Sequence, residues 1–168
     1  YLEKWRYGAN LKMISSNYGQ YRASGLAMDV AVLYKDTSHR FTASFMVKNL
    51  GVQLKKYAGE TEELPFELQA GITKRLADAP FSFSLTAQRL QQFDILYNDT
   101  AFNNNNGYPS SSTGFTVGKL FDHLVLGTTI HVHAKMDLHA GYNFLRRREL
   151  RISNNANGLN GFSLGASV

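Results

Sequence analysis

At 168 residues the chain is long enough for one domain with its own core, and its lack of cysteine removes structural disulfides and thiol catalysis. No run approaches the roughly 18–20 apolar residues of a spanning helix, which argues against a helical span but not against a transmembrane β-barrel, whose apolar surface lies in alternate residues. The net charge of +5 suits anionic headgroups, lipopolysaccharide, an acidic partner or nucleic acid, and selects none of them.

In chain order, a weak strand is expected over 7–16. GLAMDVAVLY (25–34) then sets Leu26, Met28, Val30, Val32 and Tyr34 against a face of small residues and Asp29. YKDTSHR (34–40) reads as a short polar turn. RFTASFMVKN (40–49) alternates Phe41, Ala43, Phe45 and Val47 with Arg40, Thr42, Ser44 and Lys48. A long connection is expected near 50–64. PFELQAGITKR (65–75) alternates again, with Pro65 starting the strand where its missing donor costs nothing. After the short turn 75–80, PFSFSLTAQR (80–89) opposes Phe81, Phe83, Leu85 and Ala87 to Ser82, Ser84, Thr86 and Gln88. The segment 91–122 is a second long connection, rich in Asn and Ser, in which 115–122 admit a brief helix. HLVLGTTIHVH (123–133) and the segment through Phe144 give two more strands, 154–161 a loop, and the last strand begins near Gly161. Period two scatters around a helix axis and segregates on a strand, so about eight strands follow.

Several of these runs approach ten residues, nearer the nine to eleven of a tilted membrane strand than the five or six usual in soluble sheets. A soluble sandwich gives similar alternation. Length, aromatic content and the alternation of short with long connections favour an all-β, antiparallel transmembrane barrel, 1–168 forming one domain of it. Tyr1 in place of methionine, and Val168 in mid-pattern, lead us to expect an internal portion of a longer barrel.

Several polar groups are candidates for the barrel interior. With a turn at 134–136, His133 would oppose Asp137 and His131 would oppose His139, and three imidazoles with a carboxylate suit zinc or iron. The alternative is a polar interior face that includes Asn143, with no metal and no cofactor. Asp29, alone in mid-strand, is expected to pair with a lysine or arginine of a neighbouring strand. If the strand continues past Phe144, Arg146 and Arg148 point one way and Arg147 the other, with Glu149 as a possible partner. The other basic residues are spread too thinly for a nucleic-acid groove, which leaves a rim feature facing headgroups or a docked protein. No nucleophile elbow, phosphate loop or HExxH motif is present, so no catalysis is expected.

ASGLAMDVAVLY (23–34), FTASFMVKNLGVQLK (41–55) and ELPFELQAGITKRL (63–76) resemble the PorV/PorQ family of type IX secretion outer-membrane proteins of Bacteroidetes. HLVLGTTIHV (123–132), AGYNFLRRREL (140–150) and GLNGFSLGASV (158–168) resemble its PorQ branch. The resemblance implies a 14-stranded barrel, similar in fold to the long-chain fatty-acid transporters, of which this chain is a part. It implies a non-enzymatic role in the cell-surface attachment complex, in contact with outer-membrane lipid and lipopolysaccharide and holding a surface protein partner. Transport of a fatty acid or other hydrophobic solute is the alternative, by analogy of fold. Asn49, Gly51, Pro65, Gly141 and Tyr142 match structural landmarks of the family. Asn49–Leu50–Gly51 is expected to turn the chain out of a strand, and Gly141 to leave room beside His139 and Asn143.

Overall fold

The structure is a computed structural model and describes residues 2–19, 21–55, 64–96, 116–150 and 158–168. A short 3-10 turn, Leu2–Lys4, leads into eight strands: β1 Trp5–Tyr18, β2 Tyr21–Asp36, β3 Phe41–Lys55, β4 Glu67–Arg75, β5 Phe81–Ala87, β6 Leu124–His133, β7 Met136–Asn143 and β8 Phe162–Ser167. They form one antiparallel sheet in chain order. The sheet is not closed, so β1 and β8 are its edges. Two one-turn helices, α1 Val117–Asp122 and α2 Phe144–Glu149, complete the described chain.

Register carries the alternation from strand to strand. Leu11 faces Met28, and Met28 faces Leu50. Further along, Phe45 faces Ala70, which faces Ala87 and then Leu124. Leu126 faces Tyr142, and Tyr142 faces Phe162. One face is therefore apolar across all eight strands. The opposite face carries Asp29, Ser44, Gln69, Ser82, Thr129, His139 and Ser167, with Leu33, Met46 and Val125 as apolar exceptions.

Nothing among the described residues covers the apolar face. Leu11 is 75% exposed, Met13 82%, Val52 61% and Leu164 86%. The described apolar residues that are buried are Ala27, Ile95 and Leu145. A sandwich would interlock a second layer with these side chains, and within this sheet no such layer exists.

The landmark at Asn49–Gly51 differs from its expected role. It does not end the strand, because β3 runs on to Lys55, and the connection begins at 56 in place of 50. Met28 pairs with Leu50 and Val30 with Val47, so Lys48 and Asn49 together oppose Asp29 in a β-bulge, with Asn49 at φ +55. The extra residue reverses the phase of the strand. Before it the odd residues through Val47 are on the apolar face; after it the even ones, Leu50 and Val52, take their place. The bulge keeps one face apolar along a long strand. Gly51 sits where β2 and β3 approach closely, since a Cβ there would lie 2.6 Å from Ala27 Cα.

The connections divide by end. Residues 37–40, 76–80 and 134–135 make short turns at one end of the sheet. At the other end β1 passes to β2, and the three longer links, from β3 to β4, β5 to β6 and β7 to β8, leave and re-enter the sheet. Pro65 precedes β4 by two residues, and Pro80 immediately precedes β5.

Candidate functional site: the polar face and the helix pair above it

The polar face groups its charges by position along the strands. Near the long-connection end, Lys12 Nζ of β1 lies 2.6 Å from Asp29 Oδ2 of β2, the pairing expected of Asp29. Asp29 also accepts from the Asn49 backbone N–H at 2.9 Å, which ties the bulge to the ion pair. Asn49 accepts from Lys12 Nζ through Oδ1 at 2.9 Å and donates from Nδ2 to the Pro65 carbonyl at 2.8 Å. Lys48 pairs with Glu67 at 3.3 Å, and Gln69 donates to the other oxygen of Glu67 at 2.8 Å. The Gln91 amide then stands in for a strand backbone, accepting from Leu68 N–H at 2.9 Å and donating to the Phe66 carbonyl at 2.7 Å.

At the short-turn end, Asp36 is buried and gathers the turn around itself. It takes Lys4 Nζ at 2.9 Å and His39 Nδ1 at 3.0 Å on one oxygen, and the backbone N–H groups of Ser38 and His39 on the other. The histidines expected to meet here do so in a different register. The turn is 134–135, and a bulge lies between His131 and His133. His131 therefore faces Asp137, at 2.8 Å from Nδ1 to Oδ1, while His139 faces Thr129 and His133 faces Met136. His131 Nε2 is 2.8 Å from Ser82 Oγ on β5. His139 bonds Thr129 Oγ1 and Ser167 Oγ, both at 3.1 Å. The imidazoles are thus held by serine, threonine and aspartate in separate chains. No group of three metal-ligating side chains occurs among the described residues.

The arginine run is helical, and so its expected strand alternation does not hold. Asn143, the last residue of β7, turns its side chain to accept from Arg146 N–H at 3.0 Å and caps α2. Arg147 reaches back to the Tyr142 hydroxyl at 2.8 Å with its guanidinium over that ring. Arg148 pairs with Asp122 of α1, not with Glu149. Asp122 is 2% exposed, and its Oδ1 has no hydrogen-bond partner among the described residues. Burial raises its carboxyl above the usual aspartate range, although the Arg148 guanidinium draws it back. Lys119 lies 2.7 Å from Asp94, and this contact holds the Asp94 carboxyl below its ordinary value. His123, buried at the end of α1, places Nδ1 2.8 Å from the Gln88 carbonyl and Nε2 3.2 Å from that of Phe93.

Beneath this charged pair the rings of Phe121 and Phe144 stand 5.3 Å apart, Phe144 and Tyr142 4.8 Å, and Tyr142 and Phe162 4.7 Å. Aromatic rings also mark the other end of the apolar face, with Trp5 5.0 Å from Tyr34 and Phe81 6.4 Å from Phe83. Gly127 and Gly141 are a cross-strand pair on the polar face, and a Cβ at Gly141 would come within 2.7 Å of Ser163 Oγ. The room at Gly141 is thus taken by Ser163, not by His139 or Asn143.

No family model, curated protein or solved structure matches this chain. The groupings themselves therefore carry the functional reading. Sequence reasoning missed Lys12, Ser82, Asp94, Asp122 and His123. Lys12 and Ser82 find their partners through strand register, and Asp94, Asp122 and His123 through the packing of α1 against α2 and the chain after β5. The Asn143 cap, an Asn ahead of a run of helix-tolerant residues, is the one local signal that was present.

Proposed function

We propose that this chain is part of the wall of an outer-membrane barrel that holds a surface protein partner at its long-connection end, as a component of a type IX secretion and cell-surface attachment complex. The uncovered apolar face, continuous over eight strands, is the observation that carries the membrane part of this reading. A soluble monomer rarely leaves more than a few hundred Å² of contiguous apolar surface in water. Rings at both ends of that face suit the two headgroup levels of a bilayer. Lys74, on the apolar face near the short turns, donates to the His39 carbonyl, as a snorkelling cation would. Short turns at one end and long connections at the other are the usual asymmetry of such barrels.

The partner comes from the resemblance of 123–132, 140–150 and 158–168 to the PorQ branch of the PorV/PorQ proteins. A physical feature agrees with it. On α1, Val117, Leu120 and Phe121 are 59%, 51% and 45% exposed, and α2, joined to α1 through Arg148 and Asp122, carries the exposed Arg146. An apolar centre with an arginine at its border is the usual composition of a protein-binding surface. The transport alternative needs an apolar pocket on the polar face. The apolar groove formed by Phe41, Ile72, Phe83, Leu85 and Leu126 opens on the apolar face, where acyl chains would fill it, whereas the pocket that Ile14, Ala23, Leu64 and Pro65 line on the polar face is the place where a transported solute would sit.

The test is a pull-down of the surface partner with the full-length chain and its L120D and R146E variants, paired with heat-modifiable migration as the measure of barrel assembly. Partner capture is expected to weaken roughly tenfold or more while migration stays unchanged. Capture at the original level by both variants defeats the scaffold reading. Altered uptake of a hydrophobic solute, with capture intact, replaces it with transport.

A further inference from the structure

Ser82, His131 and Asp137 lie on three successive strands and form a continuous chain, Ser82 Oγ to His131 Nε2 at 2.8 Å and His131 Nδ1 to Asp137 Oδ1 at 2.8 Å. We propose that these three residues form a serine acyl-hydrolase site for short-chain carboxylic esters on the polar face, at the short-turn end of the sheet. The proposal stands apart from the scaffold reading and rests on the geometry of β4 to β7 alone.

An ionised carboxylate only accepts hydrogen bonds, so Asp137 fixes the imidazole with its proton on Nδ1. That leaves the Nε2 lone pair facing the Ser82 hydroxyl, the arrangement in which histidine acts as general base toward a serine nucleophile. The ring is anchored as well as aligned. The His131 backbone N–H donates to the Pro80 carbonyl at 2.8 Å, and the bulge between His131 and His133 sets the register that brings Asp137 opposite. A candidate for the developing oxyanion is also in place. Arg75 of β4 stands directly across from Ser82, so their Cβ atoms are about 5 Å apart. Among the described residues its guanidinium makes no hydrogen bond or ion pair, which leaves it free to meet a negative oxygen.

The reaction balances with water as the co-reactant. Ser82 Oγ adds to the ester carbonyl carbon while its proton passes to His131 Nε2. The oxyanion forms against Arg75. The bond to the alcohol oxygen breaks as that oxygen takes the proton from His131, leaving acyl-Ser82. A water gives a proton to His131 and its oxygen to the acyl carbon, and collapse releases the carboxylic acid with the proton returned to Ser82. The surroundings set the substrate class. Thr129, His139 and Ser167 border the site on the polar face, whereas the apolar groove lies on the other side of the sheet. Among the described residues the side chains bordering Ser82 are polar, which suits a short acyl chain.

The experiment uses the folded full chain with a fluorophosphonate probe and p-nitrophenyl acetate. The probe is expected to form an adduct on the peptide containing Ser82, and S82A to lower ester hydrolysis by about 100-fold or more. In D137N, where Asp137 acts as a positioning residue, kcat is expected to fall with KM unchanged and D137E to restore part of it. S84A, a serine on the same face outside the chain, is expected to keep both rate and far-UV circular dichroism, which separates chemistry from folding. Absence of an adduct at Ser82, or S82A hydrolysing as fast as the unchanged chain, overturns the proposal.

Discussion

At the scale of single residues, the Asn49 bulge shows how much of this sheet is decided by one extra position. Deleting Lys48 would leave Asn49 alone opposite Asp29 and return β3 to uninterrupted alternation with Leu50 and Val52 still on the apolar face, so the sheet is expected to fold with the Lys48–Glu67 pair lost. Gly51 offers a graded test. A methyl at that position meets the backbone and side chain of Ala27, and over-packing of this kind costs about 1–3 kcal/mol. At Gly8 a Cβ would meet nothing within 4 Å, so Gly8→Ala is expected to stay within about 0.5 kcal/mol of the unchanged chain. Urea midpoints of the two variants under identical conditions check the contrast. Equal midpoints would mean that β2 and β3 do not approach as closely as the register requires.

At the scale of elements, the α1–α2 contact depends on a buried carboxylate. Burial raises the Asp122 carboxyl, so the folded state holds this proton more tightly than the unfolded chain. The sign follows: the contact is strongest in acid, and its stability falls as pH rises from the ordinary aspartate value through the raised one. Arg148→Ala should sharpen that loss at neutral pH, by about 2–3 kcal/mol. This is below the cost of breaking a fully buried pair because the Arg148 head reaches solvent. Adding Asp122→Asn should recover most of it. Hydrogen exchange of residues 117–122 and 144–149 measured across pH reads the effect directly; a variant whose protection rises with pH would reverse the assignment.

The same helices show where sequence reading reaches its limit. Strands were legible because alternation is local: Phe81, Phe83 and Leu85 announce their face without knowledge of any neighbour. The phase slip in VKNLGV was equally visible, two polar residues standing between Val47 and Leu50 where one was due. It was read as a turn because glycine and asparagine favour turns as well as bulges. In α2, Tyr142 and Phe144 continue the strand pattern to the helix, so the alternation alone hides the change. The histidine chain was illegible for another reason. A turn of two residues or of three places different side chains opposite His131, and only the bulge decides between them. Ser82, nearly fifty positions earlier, carries no local mark at all.

At the scale of the whole molecule, two edges and one bare face have to be reconciled with water. The eight strands leave β1 and β8 without an outer neighbour, and an unpaired edge beside an apolar face is an invitation to further pairing. If lipid covers the face, depth along the strands becomes measurable. The chain has one tryptophan, Trp5, at the start of β1 among the rings of the short-turn end, so its fluorescence is free of background. In bilayers of brominated lipid, Trp5 is expected to be quenched most by bromine near the headgroups. A second probe separates depth from mere contact. In a Trp5→Phe background, Ile72→Trp places the indole midway along β4 on the apolar face, and Thr73→Trp places it on the polar face one residue on. Ile72→Trp should respond most to bromine deep in the acyl chains. Thr73→Trp should respond weakly to every lipid and strongly to a water-soluble quencher. Were the two positions quenched alike by water-borne agents, the apolar face would not be lipid-facing, and a partner layer from outside these strands would have to cover it.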